Sequence, residues 1–291
     1  MTDCALPGRE DIERLIETAL AEDLGERGKE GDCTSQATIP EKTPLKASLV
    51  TREDIVPAGL QIALEVFRHL SPASDQKALV RDGEKILAGT VLASISGDAR
   101  GLLTAERTAL NILQHLSGIA TLTRTFVEEV ADTGTIILDT RKTTPGLRRF
   151  EKYAVAVGGG RNHRMGLYDG VLIKDNHIAA CGSIDQAIAS AKEKGLSAIE
   201  VECDTLDQVE KSLAAGADRI LLDNMDNATL RAAVTMVAGR IPLEASGGVT
   251  METVRAIAET GVDFISIGRL TQSAPAVDIG LDISLLPDQA D

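Results

Sequence analysis

The sequence predicts an α/β protein built in two parts, and three observations carry that prediction. From about residue 135, short β-rich runs alternate with amphipathic helical stretches. Before that point helix and strand are mixed with no fixed order. Beyond residue 276 the pattern changes again, to strict alternation of apolar and polar residues.

In the first half, residues 9–21 place Ile12, Leu15, Ile16 and Ala19 on one helical stripe. A loop rich in glycine and charge, GERGKEGDCTSQ, follows. Short apolar segments predict strands near 45–52, 77–81 and 90–96, with a helix near 59–70. A longer helix is expected from Thr104, which reads as its N-cap. Ala109, Ile112, Leu113 and Leu116 form its apolar stripe, while Arg107, Asn111 and Gln114 share the opposite face. Ser117-Gly118 is expected to interrupt it before Ile119, Leu122, Phe126 and Val130 continue the pattern.

The second half offers six strands: 136–140, 171–175, 199–203, 219–224, 241–246 and 264–268. Helices near 185–194, 206–215, 227–238 and 251–260 separate the last five. Such alternation means a parallel sheet with right-handed crossovers. Most of these strands are apolar and turn abruptly polar at their C-terminal ends. That reads as a closed or nearly closed barrel with its functional side chains on the C-terminal rim. A flat, doubly wound sheet fits the alternation nearly as well. The predicted rim carries Asp139, Arg141, Lys142, Lys174, Glu202, Asp223, Ser246, Gly247, Gly248 and Gly268. In the tail, Val277, Ile279, Leu281, Ile283 and Leu285 alternate with polar residues, so a half-buried strand is expected to return to the N-terminal part. The expected division is 1–115 joined by 276–291, and 116–275.

Composition limits the function. Hydrophobic residues make up 43% of the chain, aromatics only 2%, and tryptophan is absent, so the core must be aliphatic. Too few aromatic platforms remain for stacking single-stranded bases. A pI near 4.8 also argues against nucleic acid. No run approaches the apolar length that spans a membrane. Acids stand where a signal peptide needs a basic and then an apolar region. Cys4, Cys33, Cys181 and Cys203 lie far apart with no CxxC spacing, which fits reduced thiols and a cytoplasmic location.

The most informative stretch is Arg141–Lys174, RKTTPGLRRFEKYAVAVGGGRNHRMGLYDGVLIK. It holds eight Lys/Arg against two acids in a chain of formal net charge −14, leaving −20 for the remainder. A cationic island in an acidic protein suits a small, multiply anionic ligand. Arg141, Lys142, Arg164 and Lys174 fall at two adjacent strand ends and in the long basic loop between them. Arginine offers a planar fork for carboxylates, lysine a point charge for phosphate or carboxylate. Gly158-Gly159-Gly160, beside Arg161, His163 and Arg164, is read as a backbone nest for an anion. Glu202 and Asp223 end neighbouring strands and would face the cations across the mouth. They could hold hydroxyls, hold Mg²⁺ through water, or stabilise a developing cation. Ser246-Gly247-Gly248 and Gly268 end the last two strands, where barrels often cradle phosphate. No Ser/His/Asp or Cys/His arrangement points to a covalent hydrolase.

At these residues the chain resembles the quinolinate phosphoribosyltransferases. The likeness runs through AEDLGERGKEGDCTSQATIP, REDIVPAGL, LLTAERTALNILQHLSGIAT, the long motif from Asp139 to Ile178, IEVEC, LLDN and EASGGV. It implies an α/β fold: an N-terminal α+β sandwich domain and an incomplete, about six-stranded α/β barrel. It implies a homodimer in which one N-terminal domain covers the other's barrel mouth. Quinolinate would then meet Arg141, Lys142, His163, Arg164 and Lys174, with Arg107 supplied by the neighbouring subunit. Thr140 joins them as a substrate-binding position. Phosphoribosyl pyrophosphate would meet Lys142, Glu202, Asp223, Ser246–Gly248 and the turn Gly268, Arg269, Leu270. The family commonly reads GALTHS where this chain reads GRLTQS, so Arg269 and Gln272 alter that turn. The GERGKEG loop also looks longer than usual.

The activity so implied is phosphoribosyl transfer to quinolinate with decarboxylation, a step of NAD biosynthesis, with Mg²⁺ carried by the pyrophosphate. Lys142, Glu202 and Asp223 would be its catalytic residues. Molybdenum-associated paralogues share much of the pattern. Two further readings stay open: a phosphoribosyltransferase for a monocarboxylate, and a non-catalytic binder of phosphorylated metabolites. A single carboxylate would leave several of the cations unpaired, and a mere binder has no use for Glu202 and Asp223.

Overall fold

The computed structural model describes residues 5–25 and 31–284. Most of the GERGKEG loop, Cys4 and the tail beyond Ser284 lie outside them. The chain opens with α1 (Arg9–Leu24) and α2 (Cys33–Thr38), then β1 (Pro44–Thr51) and α3 (Leu60–Leu70). Two strands, β2 (Asp75–Ala78) and β3 (Val91–Asp98), lead to the long α4 (Ala99–Glu129). Next come β4 (Ile136–Leu138), α5 (Arg148–Val157), β5 (Val171–Ile173), α6 (Asp175–Cys181) and α7 (Ile184–Glu193). Regular alternation follows: β6 (Ile199–Cys203), α8 (Leu206–Ala215), β7 (Arg219–Asp223), α9 (Asn227–Val237), β8 (Leu243–Ser246) and α10 (Met251–Ala258). The chain ends with β9 (Phe264–Ser266), the short α11 (Arg269–Gln272) and β10 (Ile279–Ser284).

Two compact units result. One comprises residues up to 122, 149–158 and from 274 onward. The other comprises 123–148 and 159–273. The boundary thus falls at 122/123 rather than 115/116.

The first unit holds an antiparallel sheet in the order β10-β1-β3-β2. The C-terminal strand pairs with β1 from Thr51–Ile279 to Lys46–Ser284, as its period-2 pattern predicts. Beneath it lies a mainly aliphatic core that includes Leu49, Leu60, Ile62, Leu92 and Ile95, with Phe67 among them. The start of α3 is satisfied from a distance: both carboxylate oxygens of Asp82 accept the Gly59 and Leu60 amides, and Tyr153 Oη also donates to Asp82.

Three expectations fail here, each for a physical reason. Thr104 is not an N-cap but lies inside α4, where its hydroxyl donates to Arg100 O at 2.7 Å. Ser117-Gly118 does not break that helix. Ser117 Oγ accepts the Ala58 amide, and a side chain at Gly118 would strike the Pro275 carbonyl. The glycine therefore serves close approach of the chain before β10, not a bend. The segment 148–157, read as part of a basic loop, is a helix. Its Phe150, Ala154 and Val155 are buried, and so are Glu151 and Lys152, whose charges suggested solvent.

Gly118→Ala should therefore destabilise this unit by about 1–3 kcal/mol, the usual cost of overpacking. The obstructing atom is backbone and cannot swing aside. A lower denaturation midpoint is the expected result, and an unchanged midpoint would show that residues 275–276 yield freely.

The second unit is a six-stranded parallel sheet in the order β4-β9-β8-β7-β6-β5. Its end strands β4 and β5 are not paired with each other, and beside β4 lies a single bridge, Leu138 to Arg161. This is the incomplete barrel expected. Strand parity then sorts the residues. Ile199, Val201, Ile220, Leu222, Leu243, Ala245 and Ile265 are buried on one face. On the opposite face, two residues apart, stand Glu200 and Glu202, Leu221 and Asp223, Glu244 and Ser246, Phe264 and Ser266. No helix among the described residues is long and apolar enough to cross a membrane.

Candidate functional site

At the C-terminal ends of the barrel strands lies a cavity of about 660 Å³. Its wall includes Thr140, Arg141, Lys142, His163, Arg164, Lys174, Glu202, Asp223, Ser246, Gly247, Gly248, Gly268 and Arg269. All but two of the sequence-predicted site residues are thus brought together. The exceptions are Arg107, exposed on α4, and Leu270, which is fully buried.

One side of the cavity is cationic. The loop after β4 is braced by Thr140, whose hydroxyl accepts the Lys142 amide at 3.0 Å, and by Thr271, whose hydroxyl donates to Lys142 O at 2.7 Å. Arg164 Nη1 donates to Gly170 O at 2.9 Å. Burial lowers the pKa of Arg164, and the neighbouring Arg141 lowers it further. Glu200 and Asp169 offset this only in part, so two like charges held together in a half-buried place favour an added anion. Arg141 Nε sharpens the point, being buried with no hydrogen-bond partner among the described residues. Such a donor is costly unless something else accepts from it.

Lys174, at the end of β5, donates from Nζ to Glu202 of the adjacent β6. Asp223 follows on β7. Burial raises its pKa, Asp204 adds to the rise, and Lys174 and Lys142 oppose it. This acidic edge has the charge to attract a hydrated divalent cation, but it is too sparse to cage a bare one.

The third wall is built from glycines. Gly247 has φ +94°, and a side chain there would collide with Asn224, whose amide donates to Ser246 O at 2.9 Å. At Gly268 an added Cβ would stand 2.8 Å from Lys142 Cδ, so the lysine stem passes directly over the backbone. Backbone amides are approachable here, next to the start of α10, as phosphate recognition requires. Arg269 also lines the cavity and lies within electrostatic reach of Glu252.

Other expectations need correction. The triple glycine ends α5, with the Gly158 amide donating to Ala154 O, and forms no part of the cavity wall. Of the eight cations in the basic stretch, four line the cavity; Arg148 instead ties Thr143 and Met165 O together, and Lys152 is buried in the other unit. Asp139 is buried rather than on the rim; it accepts the His163 amide at 2.8 Å and Asn162 Nδ2 at 2.6 Å.

His163 is held from both ring nitrogens. Nδ1 lies 2.8 Å from the Arg164 amide, and Nε2 lies 3.0 Å from Glu200 and 3.6 Å from Glu244. Glu200, Arg219 and Glu244 form a polar layer one step below the rim, which the sequence reading missed. The signal was present: Glu200 stands two residues before Glu202, and Glu244 two before Ser246.

Residues 119–282 match a family model described as quinolinate phosphoribosyl transferase, C-terminal domain, and residues 32–117 match the corresponding N-terminal domain. A Bacillus subtilis protein named probable nicotinate-nucleotide pyrophosphorylase (carboxylating) is 44% identical, with 94% of each chain covered. A Mycobacterium leprae protein named nicotinate-nucleotide pyrophosphorylase (carboxylating) is also 44% identical, over 97% of this chain and 100% of its own. The solved nicotinate-nucleotide pyrophosphorylase of Francisella tularensis superposes with a TM-score of 0.92 at 38% identity, covering 98% of this chain and 100% of the other.

Proposed function

The chain belongs to the quinolinate phosphoribosyl transferase family, and on that premise we propose how its barrel mouth performs the family's reaction. It transfers the phosphoribosyl group of 5-phosphoribosyl 1-pyrophosphate to the ring nitrogen of quinolinate and releases pyrophosphate and CO₂, giving nicotinate mononucleotide. The observation that carries the assignment of roles is the like-charged pair Arg141 and Arg164, with Arg141 Nε buried and without a partner among the described residues. Two adjacent carboxylates on one ring answer both features.

Arg141, Arg164 and Lys174 hold the two carboxylates and aim the ring nitrogen at the anomeric carbon. Ser246–Gly248 and Gly268 receive phosphate through backbone amides, with Arg269 as an added cation at that turn. Glu202 and Asp223 hold the ribose and favour the positive charge that develops on it. Lys142, whose stem crosses Gly268, stabilises the leaving pyrophosphate. Mg²⁺, when bound with the pyrophosphate, supplies further charge neutralisation there. Glu202 and Asp223 fit it as holders of its water shell, not as direct ligands. Arg107, exposed and outside the cavity wall, is supplied by a second copy of the chain in a homodimer. The free thiols Cys33, Cys181 and Cys203 support a reducing, cytoplasmic setting.

An assay with quinolinate labelled in its 2-carboxylate tests the reading. With phosphoribosyl pyrophosphate and Mg²⁺, labelled CO₂ and pyrophosphate should appear in equal amounts. Turnover of nicotinate with none of quinolinate would move the assignment to a monocarboxylate enzyme.

A further inference from the structure

The polar layer beneath the rim has no part in the roles assigned above. In it Glu200, Arg219 and Glu244, on β6, β7 and β8, occupy inward positions that barrels ordinarily fill with aliphatic side chains. His163 closes the layer from the segment after α5. The side chains of Glu200 and Glu244 are 7% and 0% exposed. Arg219 Nη1 lies 3.3 Å from Glu244 and Nε 4.0 Å from Glu200, while its guanidinium stacks 4.4 Å from the centre of the Phe264 ring.

Charge decides what this cluster holds. Two buried carboxylates face one fixed cation, Arg219. Burial lowers the pKa of His163, but the hydrogen bond to Glu200 and the charges of Glu244 and Glu200 outweigh it and raise the pKa. Its Nδ1 nevertheless accepts the Arg164 amide, which fixes the neutral ring with hydrogen on Nε2, so the geometry places the extra proton on a carboxyl rather than on His163. One negative charge remains, and burial of an unbalanced charge is expensive. The cluster is therefore completed by one proton. A metal ion is the alternative, since His163, Glu200 and Glu244 lie within ligating distance of one another. Arg219 argues against it by placing a permanent positive charge among the same oxygens. Oε1 of both glutamates is buried with no hydrogen-bond partner among the described residues. Glu200 lies 3.0 Å from His163 Nε2, whereas Glu244 lies 3.6 Å from it and is fully buried, so within the cluster the proton belongs on Glu244. Glu244 and His163 both belong to the wall of the cavity that Arg141, Arg164 and Lys174 also line.

We propose that Glu244 delivers the proton that replaces the departing carboxylate at C2 of the pyridine ring. The inference rests on the function assigned above. As the C2–carboxyl bond breaks, CO₂ leaves and the electron pair stays on C2, beside the quaternised nitrogen. That pair takes the carboxyl proton of Glu244 to form the new C–H bond. The carboxylate left behind is stabilised by Arg219 and by the Nε2–H of His163, and it recovers a proton from water before the next turnover. One proton is consumed per CO₂, as the overall reaction demands. Burial, with Glu200 next to it, pushes the Glu244 carboxyl up to about 7, while a hydrogen bond with Ser266 and the charge of Arg219 pull in the other direction. Ser266, on β9, is its neutral neighbour. The proton is thus held when pH is below about 7 and lost as pH rises through it.

Rapid-quench single turnovers that measure pyrophosphate and labelled CO₂ separately test the proposal. Glu244→Gln keeps the shape but has no transferable acid. It should release pyrophosphate at the wild-type rate and CO₂ about 10²-fold more slowly, with the dicarboxylated mononucleotide accumulating. A purely structural role would lower both releases together, and that result, or an unchanged CO₂ rate, overturns the proposal. Should the variant not fold, the wild type decides. Its ratio of CO₂ rate to pyrophosphate rate should fall as pH rises through about 7, and a ratio independent of pH would overturn the proposal. Wild-type enzyme that releases neither product would instead remove the assigned function itself.

Discussion

Arg141→Ala is expected to weaken quinolinate binding by about 2–5 kcal/mol, the usual cost of stranding one member of a buried charge pair. Arg141 lines the cavity beside Arg164, and its Nε has no partner among the described residues. Removing it takes away the fork and leaves one ligand carboxylate facing a void. Arg141→Lys should lose much of the same affinity, because an ammonium cannot form two parallel hydrogen bonds. The binding of phosphoribosyl pyrophosphate should change far less. Isothermal titration of both ligands checks this. Wild-type quinolinate affinity in the alanine variant would remove Arg141 from the carboxylate site, and an equal loss for both ligands would mean that the loop after β4 had collapsed.

How far the sequence announces this site depends on where each charge stands. Arg141, Lys142, Lys174, Glu202 and Asp223 were legible because each ends or closely follows an apolar strand. An abrupt change from apolar to polar at a C-terminal end has few explanations other than a rim. The parallel sheet itself followed from strand–helix alternation, and β10 from its period. Charges inside elements were misread, because a charge there suggests solvent. Glu151 and Lys152 concealed α5, although Phe150 and Ala154 mark its buried face. Glu200 and Glu244 were passed over within β6 and β8, although each stands two residues from a rim residue and must share its face. Their burial depends on Arg219 and His163, which come from distant parts of the chain, and no local pattern reports such a partnership. Two glycine readings failed for the opposite reason. Gly118, Gly158 and Gly247 look alike in sequence, yet Gly118 admits a neighbouring carbonyl and Gly158 ends a helix, while Gly247 lines the cavity as expected, with positive φ beside Asn224.

Lys142→Ala should have its main effect on turnover, with kcat falling about 10²–10³-fold, the loss typical when one donor to a developing anion is removed. Its position explains why. The backbone on either side is fixed by Thr140 and Thr271, and the stem runs over Gly268, so the ammonium is aimed at the seam between the cationic wall and the phosphate cradle. A residue that only bound phosphoribosyl pyrophosphate would raise KM and leave kcat alone. One that meets charge as it builds on the leaving pyrophosphate lowers kcat. Lys142→Arg separates the two, since it retains the charge while changing the shape over Gly268. Partial recovery of kcat in that variant would support an electrostatic role. Gly268→Ala offers a second view, because its Cβ would push the lysine stem aside without touching the charge. A kcat defect in Gly268→Ala that disappears when Lys142 is already alanine would show that the two positions act through one contact. Independent, additive defects would assign the glycine to the phosphate and leave the lysine without its proposed support.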